Sequence, residues 1–245
     1  VLSADLGLPD IGLTTLTEVA DRAEQIARVT DLPTIVDCDT GFGEPMSVAR
    51  TVRMMEDRGI AGFHLEDQVN PKRCGHLDGK TVVSTEDMVR RIKAAADARR
   101  DPNMVIIARS DARMIEGLDA MIARANAYAE AGADMIFTEA LLTAEDWRKA
   151  SAEISAPLLA NMTEFGKSDL LSAGELQDLG ASMVIYPVTS LRIAMKSVSD
   201  ALGDIEASGT QREIIDKMQT RQELYDLLQY ERYNTFDQGL FNFKL

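Results

Sequence analysis

Apolar residues along the first 190 positions follow two spacings in turn, one helical and one strand-like. In residues 14–29 they recur every three or four positions, which is the spacing of an amphipathic helix. The next run, PTIVD at 33–37, is short and continuous, as a buried strand is. This succession repeats along the chain. It predicts strands at 33–37, 60–66, 104–108, 134–138, 157–160 and 182–186, and helices at 14–29, 46–58, 85–99, 117–131, 144–153 and 173–179.

About six short strands, each separated from the next by a helix, predict right-handed βαβ units and a parallel sheet. A chain of 245 residues suits one (β/α)8 TIM-type barrel, which takes about 250 residues. A barrel needs eight strands, whereas residues 1–13 have the Gly and Pro content of a loop. We therefore expect the N-terminal strands of the barrel to be absent from this chain.

The pattern changes near residue 190. Helical stretches at 190–202 and 210–229 follow each other with no strand between them, so we divide the chain into a barrel domain at 1–190 and a C-terminal helical segment at 191–245. Six of the 13 aromatic residues lie between Tyr225 and Phe243, too many for a free tail. Two surfaces could bury them: the barrel of the same chain and a neighbouring subunit.

Composition narrows the possible partners. Asp and Glu number 40 against 26 Lys and Arg, with no long basic run, so we expect binding to neither nucleic acid nor an anionic membrane. Apolar runs fall far short of the roughly 20 residues that span a bilayer. Two cysteines and two histidines provide neither a disulfide framework nor a Cys/His zinc cluster. We expect a cytoplasmic protein that binds anions through local cations.

Polar side chains follow most of the predicted strands. In a parallel barrel the carboxyl ends of the strands meet on one face, where active sites are built. Any one of these residues could instead be a helix cap or a turn residue, but five such strand ends together favour a site. The segments are Asp37-Cys38-Asp39, Glu66-Asp67, Arg109-Ser110-Asp111, Glu139 and Asn161-Met162-Thr163-Glu164.

The polar loop after the second strand holds Cys74 among basic side chains. Nearby positive charge stabilises a thiolate, so we expect a lowered pKa for this thiol. By its chemistry Cys74 could be an acid, a base or a nucleophile, and the loop could also be an ordinary solvated turn. Cys38 ends an apolar run and is predicted to be a small packed residue. The basic side chains of the loop are Lys72, Arg73, His76 and Lys80.

Six motifs stand in order along the chain: VDCDTGFGE, LEDQVNPKRCGHLDGK, ARSDAR, IFTEAL, NMTEFGKS and YPVTSLRIAMK. They resemble the isocitrate lyase and phosphoenolpyruvate mutase superfamily, most closely its 2-methylisocitrate lyase branch, over nearly the whole chain. The resemblance implies a Mg²⁺-dependent carbon–carbon lyase that cleaves 2-methylisocitrate to pyruvate and succinate. It also implies a homotetramer in which C-terminal helices are exchanged between subunits.

The resemblance also implies roles for individual residues. Mg²⁺, or Mn²⁺ in its place, is assigned to Asp37, Asp39 and Glu66, mainly by way of water; these acids could otherwise be turn residues and a helix cap. Arg109 is expected to grip a substrate carboxylate with two parallel hydrogen bonds, and Glu139 to orient Arg109 or a water. The alternative for Arg109 is a salt bridge between strands.

Cys74 is cast by the resemblance as the acid that protonates the succinate enediolate. Lys72 and His76 would tune its pKa, and the amides of Gly75 and His76 would contact a carboxylate. Arg192 could serve the same site or lie on a helix surface. Hydrogen bonds to the succinate half are expected from Asn161, Thr163 and Ser168.

Other substrates and one other class of protein stay open. Lyases of 2,3-dimethylmalate or 2-alkylmalates keep the Cys-Gly-His loop and are the nearest alternative for a di- or tricarboxylate substrate. Isocitrate lyases are longer and differ at the segment that reads NMTEFG here. The remaining alternative is an inactive fragment that serves as a partner subunit.

Overall fold

The computed structural model describes residues 2–73, 75 and 79–241, and the chain divides into two compact units between Thr189 and Ser190. The first unit alternates strands and helices. Its strands are β1 (Ile35–Asp37), β2 (Gly62–Glu66), β3 (Val105–Ser110), β4 (Met135–Thr138), β5 (Leu158–Asn161) and β6 (Ala181–Ile185). Its helices are α1 (Leu2–Asp5), α2 (Leu16–Ala27), α3 (Pro45–Asp57), α4 (Thr85–Ala98), α5 (Leu118–Glu130), α6 (Ala144–Glu153) and α7 (Ala173–Asp178).

In the part of the chain that the structure describes, six strands form one parallel sheet in sequence order. The boundaries of every strand lie within two residues of their predicted positions, so the α/β class and the parallel sheet are confirmed. Residues 1–13, expected to be a loop, include the short helix α1. The sheet forms a half-barrel, and the eight-stranded barrel stays a prediction.

The two faces of the sheet bury different apolar clusters. Alternate side chains of a strand point to opposite faces, so Phe63 and Leu65 of β2 pack against the helices in the larger cluster. The smaller cluster lies on the other face and includes Ile107, Phe137 and Leu159 from three neighbouring strands. Because these inward side chains fill the middle of the sheet, the polar residues on the same face gather at the carboxyl ends of the strands.

Local sequence explains where the helices begin. Thr15 and Ser172 each form a capping box with the Glu three residues later, and Ser84 and Thr143 accept hydrogen bonds from the third backbone N–H of their helices. These caps satisfy N–H groups that have no partner inside the helix. None of the helices in the described ranges is long and apolar enough to cross a membrane.

The second unit is helical. Helix α8 (Thr189–Ser208) enters it and is followed by a 3-10 segment (Arg212–Lys217), α9 (Arg221–Leu227) and α10 (Tyr230–Phe241). The helical stretch predicted at 210–229 is present but is not continuous, because a 3-10 segment occupies its first half and Thr220 starts a new helix with a capping box to Glu223. Most of the aromatic tail forms α10.

Candidate active site

Five of the predicted polar residues lie on the inward face of the sheet, beyond the small apolar cluster. Asp37, Glu66, Arg109, Glu139 and Asn161 come from five consecutive strands or the residues directly after them. Glu66 and Arg109 are register partners on β2 and β3. The alternation of side chains puts these residues on one face, and the pairing of neighbouring strands brings together residues that are more than 120 positions apart in the chain.

Arg109 is the centre of this group. Its Nε and Nη2 donate to the two carboxylate oxygens of Asp111 at 2.9 and 3.2 Å. Nε also lies 3.3 Å from Glu66 Oε2, and Nη2 lies 3.6 Å from Glu139 Oε2. The guanidinium carbon stands 4.9 Å above the ring centre of Phe137. The salt bridge between strands that was left open as an alternative is therefore present, to Glu66 and Glu139 on either side of β3. Asp111, which follows β3 itself, makes the shortest contact with Arg109.

The Glu66 carboxylate is buried, and few interactions with the protein replace its hydration. Its side chain is 1% exposed, and neither carboxylate oxygen has a hydrogen-bond partner in the described part of the chain. Burial raises its pKa well above the ordinary value, although the charge of Arg109 acts in the opposite direction. A buried carboxylate in this condition is suited to bind an added cation or hydrogen-bond donor.

Asp37 and Asp39 flank Glu66 with different environments. Asp37 is half exposed, and its pKa falls to about 2 because His64, Lys72 and Arg109 outweigh the effect of burial. Burial and the neighbouring Asp37 raise the pKa of Asp39. Cys38 between them is completely buried in the larger core cluster, which confirms it as a small packed residue.

Lys72 supplies the positive charge opposite these acids. Its Nζ lies 2.7 Å from Asp39 Oδ1 and 2.5 Å from Asp10 Oδ1. Burial opposes the charged form, but Asp37, Glu66 and Asp39 raise the pKa of Lys72 well above its ordinary value, so it is a permanent cation. Asp10 belongs to the segment before α2 and was not predicted as a site residue.

Gly75 brings the loop that follows β2 against the strand ends. It is buried, and a Cβ atom at this position would collide with the Glu139 carboxyl and the Arg109 guanidinium. The ammonium of Lys80 donates to the Gly75 carbonyl and, at 3.0 Å, to Asp111 Oδ1. Only glycine allows this approach, so the loop backbone itself lines the site.

Neutral hydrogen-bonding groups complete the far side of the site. Asn161 Nδ2 donates to Glu139 Oε2 at 3.2 Å, and Asn161 Oδ1 is buried with no hydrogen bond from the residues described. Nδ1 of His64 is also buried without a hydrogen bond, 3.6 Å from Asp37 Oδ1. These atoms, with both oxygens of Glu66, leave the site with unused hydrogen-bonding capacity.

The acids fit a hard cation that is bound largely through water. Within the described ranges no three His, Cys, Asp or Glu side chains are close enough together to hold an ion directly. Carboxylate oxygens are nevertheless the donors that Mg²⁺ prefers, and Mg²⁺ usually keeps several waters and takes one or two carboxylates. The unbonded oxygens of Glu66 and the ionised Asp37 meet that requirement.

For five predicted residues the described part of the chain does not test a place in this group. Cys74 and His76 lie outside the described residues. Thr163 and Ser168 are half-buried in the segment after β5. Arg192 lies in α8, within the second unit. The roles of these residues stay predictions.

Sequence reasoning missed Asp10 and gave Asp111 and Lys80 no role, although both lie in segments that it singled out. It also placed Asp67 and Ser110 with the site residues. Asp10 carried no signal, because its contact with Lys72 spans 62 positions. Asp111 and Lys80 could have been suspected, since Asp111 shares strand parity with Arg109 and Lys80 belongs to the basic loop. Asp67 and Ser110 point to the helix side of the sheet, where they bond to each other at 2.8 Å.

Comparisons with known proteins agree on one family. The family model described as phosphoenolpyruvate phosphomutase matches residues 1–206. A probable 2-methylisocitrate lyase of Corynebacterium glutamicum is 65% identical over 99% of this chain and 79% of its own length. The 2-methylisocitrate lyase of Halalkalibacterium halodurans is 51% identical over 97% of this chain and 79% of its own length.

Solved structures show the same fold. A 2,3-dimethylmalate lyase has a TM-score of 0.90 at 35% identity, covering 97% of this chain and 80% of its own. An oxaloacetate acetylhydrolase has a TM-score of 0.91 at 33% identity, covering 99% and 83%. A phosphonopyruvate hydrolase complexed with oxalate and Mg²⁺ has a TM-score of 0.85 at 27% identity, covering 96% and 82%.

Proposed function

Because the chain belongs to the phosphoenolpyruvate phosphomutase family, we propose that it is a carbon–carbon lyase that cleaves 2-methylisocitrate to pyruvate and succinate. Relatives that are 45–65% identical over nearly the whole chain are named 2-methylisocitrate lyases. The observation that carries the proposal is the inward group of strand-end residues, which combines a fixed cation, buried acids and unused hydrogen-bonding atoms in one place.

The reaction needs control of negative charge at two places. The substrate hydroxyl gives its proton to a base, and its oxygen becomes the carbonyl oxygen of pyruvate as the bond between the two halves breaks. The electrons of that bond remain on the carbon next to a carboxylate of the succinate half. Arg109 holds a substrate carboxylate: its protein hydrogen bonds among the described residues leave from Nε and Nη2, so Nη1 is offered to the ligand. Lys72 adds a second permanent charge.

Neutral contacts fix the orientation of the substrate. Asn161 and the backbone of Gly75 border Glu139 and Arg109, and we assign them to the carboxylates of the succinate half. We assign Thr163 and Ser168 to further hydrogen bonds with the succinate half, and Arg192 to a carboxylate of the same substrate. Cys74 then delivers the proton to the succinate carbon, with Lys72 and His76 tuning its pKa.

Mg²⁺ is the proposed cofactor, with Mn²⁺ as its alternative. Asp37, Asp39 and Glu66 would hold the ion, mainly through water, and their oxygen donors and unbonded buried atoms suit it. When bound, the ion would supply Lewis-acid polarisation of the substrate oxygens. A fold relative at 27% identity was solved with oxalate and Mg²⁺, which supports the choice.

We propose that the sheet is part of an eight-stranded barrel. The edge strands β1 and β6 are only half-buried, whereas every residue of β2 and β4 is buried. Further strands beside the open edges would complete the burial, as closure of a barrel requires.

The proposed assembly is a cytoplasmic homotetramer. The C-terminal helices, 191–245 in our division, expose large apolar side chains, among them Leu227, Tyr233 and Phe236. Apolar surface of this kind marks an interface, and we assign it to helix exchange between subunits.

A 2,3-dimethylmalate lyase is the second candidate, because a solved enzyme of that name shares the fold at 35% identity. Steady-state assays with Mg²⁺ on 2-methylisocitrate, 2,3-dimethylmalate and isocitrate decide between the substrates. We expect the highest kcat/KM on 2-methylisocitrate and a loss of about 10²-fold or more in Cys74→Ser. A preference for 2,3-dimethylmalate would replace the substrate, and failure to cleave any of the three would favour the inactive partner subunit.

A further inference from the structure

Behind the proposed active site, on the helix side of the sheet, lies a buried hydrogen-bond network centred on Asp67. This carboxylate is fully buried and points away from the inward group. Burying an ionised carboxylate is costly unless hydrogen bonds replace its water. Asp67 receives three: from the Ser110 hydroxyl at 2.8 Å, the Tyr128 hydroxyl at 2.9 Å and the backbone N–H of Asp111 at 2.8 Å.

Helix α5 fixes the outer end of the network. Arg124 Nη1 donates to the Tyr128 hydroxyl oxygen at 3.1 Å, so the single hydroxyl proton of Tyr128 is directed to Asp67. Glu116 in turn holds Arg124 with two hydrogen bonds of 2.7 Å. A fourth bond ties Arg124 Nη1 to the carbonyl of Val83, in the segment that leads from the site loop into α4.

The inner end of the network reaches the substrate-binding cation. Asp67 holds the backbone N–H of Asp111, and the Asp111 side chain holds Arg109 through two hydrogen bonds and Lys80 through one. The backbone N–H of Asp67 also donates to the Arg109 carbonyl at 3.2 Å. Only Asp67 and Asp111 stand between the Tyr128 hydroxyl and the guanidinium of Arg109.

We infer that Tyr128, Asp67 and Ser110 are positioning residues that set the orientation of Arg109 toward the substrate carboxylate. The inference rests on the proposed function, in which Arg109 binds that carboxylate. Tyr128 touches no reacting atom and acts through Asp67 and Asp111. Helix α5 is thereby coupled to substrate binding by hydrogen bonds, in addition to its packing against the sheet.

The test is Tyr128→Phe, which keeps the ring and removes only the hydroxyl. Arg109 binds the carboxylate before and during cleavage. Misorientation of Arg109 therefore weakens the binding of substrate and transition state equally, which raises KM and leaves kcat unchanged. We expect KM for 2-methylisocitrate to rise about tenfold at 25 °C, as the loss of one hydrogen bond to a charged group predicts, while kcat changes by less than about threefold. Ser110→Ala, which removes a second hydroxyl from the same carboxylate, should move KM in the same direction.

Thr138→Val is the matched control. Thr138 is buried, it pairs in register with Ser110, and no hydrogen bond to its hydroxyl is found among the residues described. Its replacement should leave KM and kcat unchanged. If Tyr128→Phe lowers the melting temperature but leaves KM at the wild-type value at 25 °C, the network is only structural and the inference is overturned.

A second measurement separates this inference from the proposed function. If the wild-type protein cleaves none of the three substrates, the proposed function fails by itself. A crystal structure of Tyr128→Phe still decides the positioning role: displacement of Asp111 and Arg109 supports it, and an unchanged Asp111–Arg109 pair overturns it.

Discussion

Glu66 shows how a carboxylate kept for function lowers stability. It is buried, its oxygens lack hydrogen bonds from the described residues, and its pKa is raised well above the ordinary value. Glu66→Gln removes the charge and keeps the shape. At pH 7 without metal we expect the variant to gain roughly 1–3 kcal/mol in urea unfolding, because a neutral amide costs less to bury than a charged carboxylate without hydrogen bonds. Lyase activity should fall about 10²-fold.

The stability difference between Glu66→Gln and the wild type should depend on pH. A carboxyl whose pKa is raised by folding binds its proton more tightly in the folded protein, so the folded state is favoured below the unfolded value of about 4. That advantage is lost as the pH rises toward the folded pKa. The stability difference between Glu66→Gln and wild type should therefore grow from about pH 4 upward. A variant less stable than wild type across this range would contradict the account.

Gly75 is the second residue whose identity the site requires. An added Cβ would collide with Glu139 and Arg109, so Gly75→Ala must displace the loop or the guanidinium. We expect kcat/KM to fall about 10²-fold, the scale of an ångström-sized misplacement. Gly174→Ala in α7 is the control, because nothing lies within 4 Å of its added Cβ. Equal kinetics for the two variants would show that Gly75 does not line the site.

At the scale of single elements, sequence and structure agree where the pattern of neighbouring residues determines the element. The strands of the first unit were predictable because each is a short apolar run, and its long helices because their spacing and caps are clear. The helical stretch predicted at 210–229 is divided in the structure because Thr220 starts a new helix inside it. Side chains alternate between the two faces along a strand, so the face of each strand-end residue follows once one residue of that strand has been placed. The register that places it cannot be obtained from the sequence.

Helix α4 offers a test of local stability separate from activity. The Ser84 hydroxyl accepts the backbone N–H of Asp87 at 3.1 Å and donates to its side chain at 2.9 Å. Ser84→Ala should cost about 1 kcal/mol in urea unfolding and leave kcat and KM unchanged. Ser84→Thr keeps a capping hydroxyl and should retain most of the stability. Comparable losses in both variants would mean that the cap does not stabilise α4.

At the scale of the whole molecule, the parallel α/β fold was more predictable than the site. Whether a segment forms a strand or a helix depends largely on residues close together in the sequence. The alternation of the two can therefore be recognised from the sequence, and it indicates the architecture. The site depends on contacts such as Lys72 with Asp10 and Tyr128 with Asp67, each of which spans about 60 positions. Composition and spacing carry no trace of such pairs. The acidic group around Lys72 and the network behind Arg109 became visible only in three dimensions.

The most direct measurement of the central claim is a crystal structure with Mg²⁺, pyruvate and succinate. We expect the ion beside Asp37, Asp39 and Glu66, and a product carboxylate on the Nη1 side of Arg109. Products bound elsewhere, or a site that stays empty at saturating concentrations of all three, would contradict the assignment of the inward strand ends as the lyase site.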